Sequence, residues 1–269
     1  MKNKKPIKIY WSPEMYMDKA MNSVLFKLKP EKLIFNNLNK NSLMADFHKN
    51  RNDRSEEPLS NKTSEHVDTD GYQFCTALHN LIDTTYIFRA PFDADVSFDD
   101  NSLIIRNEQN YLYWGNRDGS FKNNISVDLL LGFIMFSEES LDFSITPPYM
   151  HKTSQTDWGF LCSVKWDIAR WFRPVVFIFQ LWEGKKRLYF KAGEPLAYFT
   201  FHTDRPIDFI EFKMTTDIHE MLQACLRHKV IIKFEKLHEL YDRFVASGMR
   251  NRVLTEIKKN VIKQEDLMV

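Results

Sequence analysis

A histidine and an aspartate two residues apart, His202-Thr203-Asp204, follow the apolar stretch that ends in Phe199-Thr200-Phe201. At the end of a strand in a double-stranded β-helix, such a pair supplies an imidazole and a carboxylate to a mononuclear iron site that keeps open positions for substrate and dioxygen. Completing the site requires a distal imidazole on a later strand. The later histidines, His219, His228 and His238, all fall in segments with a helical period, and Arg205-Pro206 directly after Asp204 reads as a loop. The same pattern recurs at His66-Val67-Asp68, with His79 as a further ligand, but in a polar stretch where a surface loop is expected. Cys75, Cys162 and Cys225 are far apart and form no CxxC pair that could seed a zinc or iron–sulfur site.

Other chemistries find less material. The chain holds no G-x-S-x-G nucleophile elbow, phosphate-binding loop or dinucleotide fingerprint, and its 8 glycines leave little from which to build one. Asp93 and Asp95 fall on one side of a strand and are expected to face water; Asp99-Asp100 marks a turn. Tyr111, Tyr113, Trp114, Trp171 and Trp182 could stack on sugar rings, with core packing as the competing use of each ring. A formal charge of +1 argues against gripping nucleic acid by counterion release, so Lys185-Lys186-Arg187 and Lys258-Lys259 read as solvated faces. No apolar run approaches the roughly 18 residues needed to cross a bilayer. Sparse cysteines and no signal-like leader lead us to expect a soluble protein in a reducing, cytoplasmic compartment.

The elements that must position these residues are mostly strands. The chain carries 22 Phe, 10 Tyr and 6 Trp, a load that suits the half-buried surface of a sheet. Ile7-Lys8-Ile9-Tyr10-Trp11 alternates as a first strand, with Ser12-Pro13 as its stop. The stretch from Val24 to Phe35 is unassigned, and residues 48–70 read as a polar insertion or loop. Short aromatic and β-branched runs then occupy 84–89, 96–98, 102–105 and 111–114, with a hairpin turn at Asn107-Glu108-Gln109-Asn110. Further strands are expected at 125–136, 141–145, 160–166, 175–182, 187–190, 196–201 and 207–212. After Thr216 the period changes to three and four. Asp217 or Thr216 can cap a helix bearing Ile218, Met221, Leu222, Cys225 and Leu226. A second helix carries Leu237, Tyr241 and Phe244 and stops at Ser247-Gly248; a third carries Val253, Ile257 and Val261.

Several segments together suggest a relationship. Cys75, Tyr86-Ile87-Phe88-Arg89-Ala90-Pro91-Phe92-Asp93, Pro147-Pro148, Thr156-Asp157-Trp158, Trp166, Arg173-Pro174 and Phe190-Lys191-Ala192-Gly193-Glu194-Pro195-Leu196-Ala197-Tyr198 resemble a family of uncharacterised proteins of bacteria and tailed phages. The resemblance covers roughly residues 75–210, and the phage branch extends it to Glu239-Leu240-Tyr241-Asp242-Arg243-Phe244. That family has no agreed activity, so the likeness implies a viral or bacterial source and no catalytic role. Within the block, Gly193-Glu194-Pro195 is a hairpin signal in which Glu194 either bonds nearby backbone or faces a ligand. Asp157 is expected to pin a strand entrance while Trp158 fills the core, and Arg173 to form a buried pair with Glu194 or Asp157.

The expected fold is mainly β: a two-sheet sandwich or jelly-roll-like single domain over 1–269, with a β-rich core at 84–212 and docked C-terminal helices at 217–262. The expected function is that of a non-catalytic structural or interaction protein of viral, tailed-phage origin. Its partner would be another protein or a second copy of itself, without nucleic acid, membrane or cofactor, in the host cytoplasm or on a virion. The alternatives are a jelly-roll non-haem iron oxygenase, with iron held by His202 and Asp204, and a carbohydrate-binding module.

Overall fold

The computed structural model of the chain describes residues 4–13, 31–32, 83–99, 102–105, 113–116, 125–149, 151–231 and 236–262. The polar segment 48–70, the Asn107-Glu108-Gln109-Asn110 turn, Cys75, Tyr111, and the His66, Asp68 and His79 set lie outside the described residues, as does the Val24 to Phe35 stretch apart from residues 31–32.

In chain order the described strands are β1 (Ile7–Pro13), β2 (Glu31–Lys32), β3 (Thr85–Arg89), β4 (Ala94–Asp99), β5 (Ser102–Ile105), β6 (Tyr113–Asn116) and β7 (Ser126–Ser137). They continue with β8 (Asp142–Thr146), β9 (Gly159–Leu161), β10 (Val164–Asp167), β11 (Pro174–Leu181), β12 (Arg187–Phe190), β13 (Pro195–Phe201) and β14 (Ile207–Glu211). They form three sheets and no closed barrel: β14-β1-β7-β11-β9 with β6 also on β7, β10-β8-β13-β3-β2, and β12-β4-β5. The β1/β14 pair is parallel, with Ile7 opposite Ile207, which makes the first sheet mixed. Because β11 spans Ser126 to Ile134 of β7, β1 and β6 share the other edge of β7, β1 along 133–137 and β6 along 127–130.

β7 is buried on both faces. Val127, Leu129, Leu131, Phe133 and Met135 enter one core, while Ile134 and Phe136 enter another. Its register against β11 shifts between Val176↔Leu130 and Pro174↔Ile134, so β7 carries two extra residues there. Gly132 takes φ 59 within this bulge, a conformation that costs a residue without Cβ little. An even insertion preserves the alternation, so Phe133 still faces the same side as Leu129. In the first core, Phe133 and Phe177 of the first sheet meet Phe88 of the second at 5.5 and 5.0 Å, and Phe199 at 6.3 and 6.0 Å. The third sheet joins through Ala94, Val96, Leu188 and Phe190, the last stacked on Phe179 at 6.4 Å.

The second core lies between the first sheet and three helices, α1 (Thr216–Ile231), α2 (Leu237–Ala246) and α3 (Met249–Lys259). Ile218, Leu222 and Cys225 of α1, Leu240 and Phe244 of α2, and Val253 and Ile257 of α3 pack with Tyr10, Ile134, Phe136, Trp171 and Phe172. Gly248 at φ 74 reverses the chain between α2 and α3. Beyond α3, Lys213 N–H donates to Asn260 O at 2.8 Å and Ile262 N–H to Glu211 O at 3.0 Å, tying the chain back to the end of β14.

Four local expectations change. β1 continues through Ser12 and Pro13, opposite Ile134 and Phe133; as the last residue of the strand, Pro13 leaves no interior ladder bond without its donor. The cap of α1 is Thr215 rather than Thr216 or Asp217, since its Oγ1 accepts from Ile218 N–H at 3.3 Å, and Asp217 favours the helix dipole from the first turn. The single strand expected over 160–166 is two strands in different sheets, because the chain crosses at Cys162-Ser163 from the first sheet to the second. Val261 lies past α3 in a bridge with Phe212 instead of on the helix face.

Phe136 is fully buried, with its ring 5.5 Å from Phe172 and 6.3 Å from Phe244. Phe136→Ala is expected to remove about 3–5 kcal/mol from the unfolding free energy in urea, and helical and sheet signals should fall together. Glu138 meets Lys258 of α3, whose ammonium holds the carboxyl below the usual carboxylate range. The stabilisation is therefore present above the unfolded carboxyl's pKa and is lost as the pH falls through the lower folded value. Glu138→Gln is expected to cost about 1 kcal/mol or less at neutral pH, the pair being half-exposed, and to flatten the acid limb of a melting-temperature profile.

Candidate interaction site

Glu194 organises the region where the sequence block converges. Its Oε1 accepts from Ser154 Oγ at 2.8 Å, and its Oε2 from Ser154 N–H at 3.0 Å and Lys191 N–H at 3.4 Å. The turn carrying it is fixed by Gly193 at φ 79 and by paired backbone bonds with Ala90, each 2.8 Å. Ser154 opens a short 3-10 helix, Ser154–Asp157, and Gln155 inside it is buried and donates to Leu196 O at 3.1 Å. Glu194 thus bonds nearby backbone and a hydroxyl, the first of its two expected uses. Asp157 is exposed at the end of the turn. What pins the entrance to β9 is the backbone, Trp158 N–H to Gln155 O at 3.1 Å and Trp182 N–H to Trp158 O at 2.9 Å.

Arg173, expected to pair with Glu194 or Asp157, lies near Tyr241 of α2. The Glu194 carboxylate is engaged by Ser154, and Arg173 acts on Tyr241 of α2, where its charge opposes the upward pull of burial on the phenol pKa. Of Asp93 and Asp95, expected to face water, Asp93 is exposed and Asp95 half-buried, and both also hold neighbouring groups. Asp93 accepts from Ala192 N–H at 2.7 Å, and Asp95 takes both arms of Arg187 at 2.7 Å each. Such a fork is the strong form of the carboxylate–guanidinium bond. The Arg187 guanidinium then lies 5.0 Å from the centre of the Trp158 ring, and Lys185 Nζ lies 5.4 Å from it. Trp158 is half-buried against the first core, so its ring is both filler and platform for these cations.

Beside this scaffold stand two exposed rings. Trp182 is 46% exposed and Phe160 39%, with centroids 5.0 Å apart. The Trp182 indole N–H donates to Thr156 O at 3.0 Å, and the turn beyond it closes by Lys185 N–H to Trp182 O at 2.9 Å over Gly184 at φ 74. The indole is therefore held in place while much of its surface meets solvent. Trp171, considered for the same stacking role, is buried in the second core 5.6 Å from Tyr241. Phe160 carries no chemical signal of its own in the sequence; only its outward place on β9 singles it out.

The structure sends His202 and Asp204 to different partners. His202 Nε2 lies 2.5 Å from Ser144 Oγ, and its backbone N–H donates to Asp142 O, so it joins the end of β13 to β8. Asp204 pairs with Lys4, which holds the carboxyl below its ordinary range. Arg205 secures the same loop to Glu139 at 2.7 Å and to Lys5 O at 2.8 Å. His219 is buried on α1 and His238 is exposed on α2. Among the described residues no group of three or more His, Cys, Asp or Glu gathers as a metal site. Cys225 is buried in the second core, where desolvation pushes its thiol up to about 12, which leaves it unreactive. No helix among the described residues is long and apolar enough to cross a membrane.

Removing the Glu194 carboxylate strands Ser154 without its acceptor. Glu194→Ala is expected to cost about 1–3 kcal/mol in urea unfolding and to alter Trp182 fluorescence, because Thr156, which orients the indole, belongs to the same turn. Glu194→Gln keeps an acceptor oxygen and should restore part of both.

Comparison of the chain with protein-family models, with curated proteins and with solved structures finds no match in any of the three.

Proposed function

We propose that the protein is a non-catalytic structural or interaction protein of the bacterial and tailed-phage type whose sequence block it resembles. In this reading its first two sheets form a sandwich with the helices docked outside, and it works in the host cytoplasm or on a virion. The observation that carries the reading is the Phe160–Trp182 pair, rings left exposed yet oriented by the Trp182 indole bond to Thr156. Ordered, solvent-facing aromatics lose little conformational freedom on contact and are favoured at protein interfaces. The polar groups around them support it too, since Glu194, Asp93 and Asp95 are taken up in holding loops. A second reading, binding of a carbohydrate, rests on the same exposed indole, because pyranose rings stack on such faces.

A photo-crosslinking amino acid at position 160, introduced in cells that carry the protein, is expected to form an adduct with a protein, whereas the same group at exposed position 213 should form none. Absence of an adduct at 160 would overturn the reading. Retention on a polysaccharide column that Trp182→Ala abolishes would replace it with the carbohydrate one. Stoichiometric iron in protein purified without chelators, lost in His202→Ala, would replace it with the oxygenase.

A further inference from the structure

The second core is incompletely filled on one side. α1 and α2 each pack more closely on α3 than on one another. Where they stand apart lies a cavity of about 250 Å³. Its floor is Trp171, Cys225, Leu240 and Phe244, all members of the second core and at most 5% exposed. Small residues set its mouth: Ala224 of α1 and Ser247 at the end of α2, both exposed.

Size and charge define what would enter. An apolar void of about 150 Å³ holds a benzene ring, and clefts for small molecules begin at roughly 300 Å³. This cavity falls between the two, with room for one ring and a short tail. Its deep walls are an indole, a phenyl ring, a leucine and a thiol, surfaces on which an aromatic ring packs in offset or edge-on fashion. Arg243 lines the cavity from the last turn of α2 and is exposed, so its guanidinium stands where the cavity meets solvent. No carboxylate among the described residues lines it. The neighbouring acids of α2 are engaged, Asp242 with Arg170 and Glu239 with Lys236 N–H at 3.0 Å. The carbonyl end of α2, which would repel an anion, is capped. Ser247 N–H donates to Arg243 O at 2.8 Å, Gly248 N–H to Val245 O at 3.1 Å and Ser247 Oγ to Phe244 O at 3.1 Å.

We propose that this cavity binds a small carboxylic acid bearing one aromatic ring. The ring sits against Trp171 and Phe244, and Arg243 holds the carboxylate at the mouth. A guanidinium presents its N–H donors in a rigid fork that matches a carboxylate. The carboxylate keeps part of its hydration there, so binding does not require burying a charge. The inference is independent of the interaction reading, since none of these residues belongs to the Phe160–Trp182 pair. A ligand so seated bridges α1 and α2 and, by binding only the folded chain, raises its melting temperature.

The fluorine resonance of para-fluorophenylacetate is expected to shift and broaden saturably with added protein, at one-to-one stoichiometry. The same acid should raise the melting temperature. The corresponding amide, with the same ring and a neutral head, should bind roughly tenfold or more weakly. Arg243→Gln should weaken the acid by a similar factor and leave the amide nearly unchanged. Ala224→Leu places a good helix former at an exposed helical position; it should melt like the wild type and bind neither compound. Nuclear Overhauser contacts from the bound ring to Trp171 and Phe244 locate the site without any variant. No saturable response up to the solubility of the acid overturns the proposal, as does a bound ring that shows no contact to Trp171 or Phe244. An Ala224→Leu protein that melts cooperatively and still binds overturns it too. Equal affinity for acid and amide, unchanged in Arg243→Gln, overturns the assignment of an acid.

Discussion

Everything in this fold depends on burying both faces of β7. A strand with apolar groups on one side requires one covering layer; Val127, Leu129, Phe133 and Met135 on one side and Ile134 and Phe136 on the other require two. The second sheet covers the first set and the helices cover the second. The even-numbered insertion at Gly132 matters because an odd one would exchange the two sets, placing Phe133 under the helices and Ile134 in the ring cluster. The helices are accordingly part of the solution to the sheet's exposed apolar face. Their return to β14 through Asn260 and Ile262 closes the arrangement on itself.

Around this frame the polar side chains that most resemble functional groups act as fasteners. Asp93 and Glu194 hold the β12–β13 turn, Asp95 holds Arg187 beneath the Trp158 ring, and Asp167 receives the Ser140 hydroxyl together with the Leu141 and Ala169 amides. A carboxylate that accepts several bonds from backbone is committed to one geometry. The consequence is a surface on which rigidity comes from the polar groups and contact area from the rings. Phe160 and Trp182 stand at the end of the first sheet farthest from β14.

The sequence by itself determined the local character of the chain. Two-residue alternation placed the strands from residue 85 to 211, the change of period after Thr216 placed the helices, and Gly193 and Gly248 marked reversals that require positive φ. These are short-range properties, set by neighbouring residues and by sterics at a single Cα. Which strands became neighbours was decided only in three dimensions. Nothing between Phe160 and Trp166 announces that the chain leaves one sheet for another at Cys162, and nothing near Ile7 announces a parallel partner two hundred residues away. The candidate site followed the same division. Glu194 and Trp182 were visible as residue types, but Asp95 with Arg187, Ser154 with Glu194 and Ser144 with His202 are pairs made by register. His202 and Asp204, two residues apart in sequence, were separated because the chain turns between them and hands one to β8 and the other to Lys4. Alternation encodes which face a residue occupies, whereas the identity of its neighbour across the sheet depends on long-range pairing that no local pattern carries.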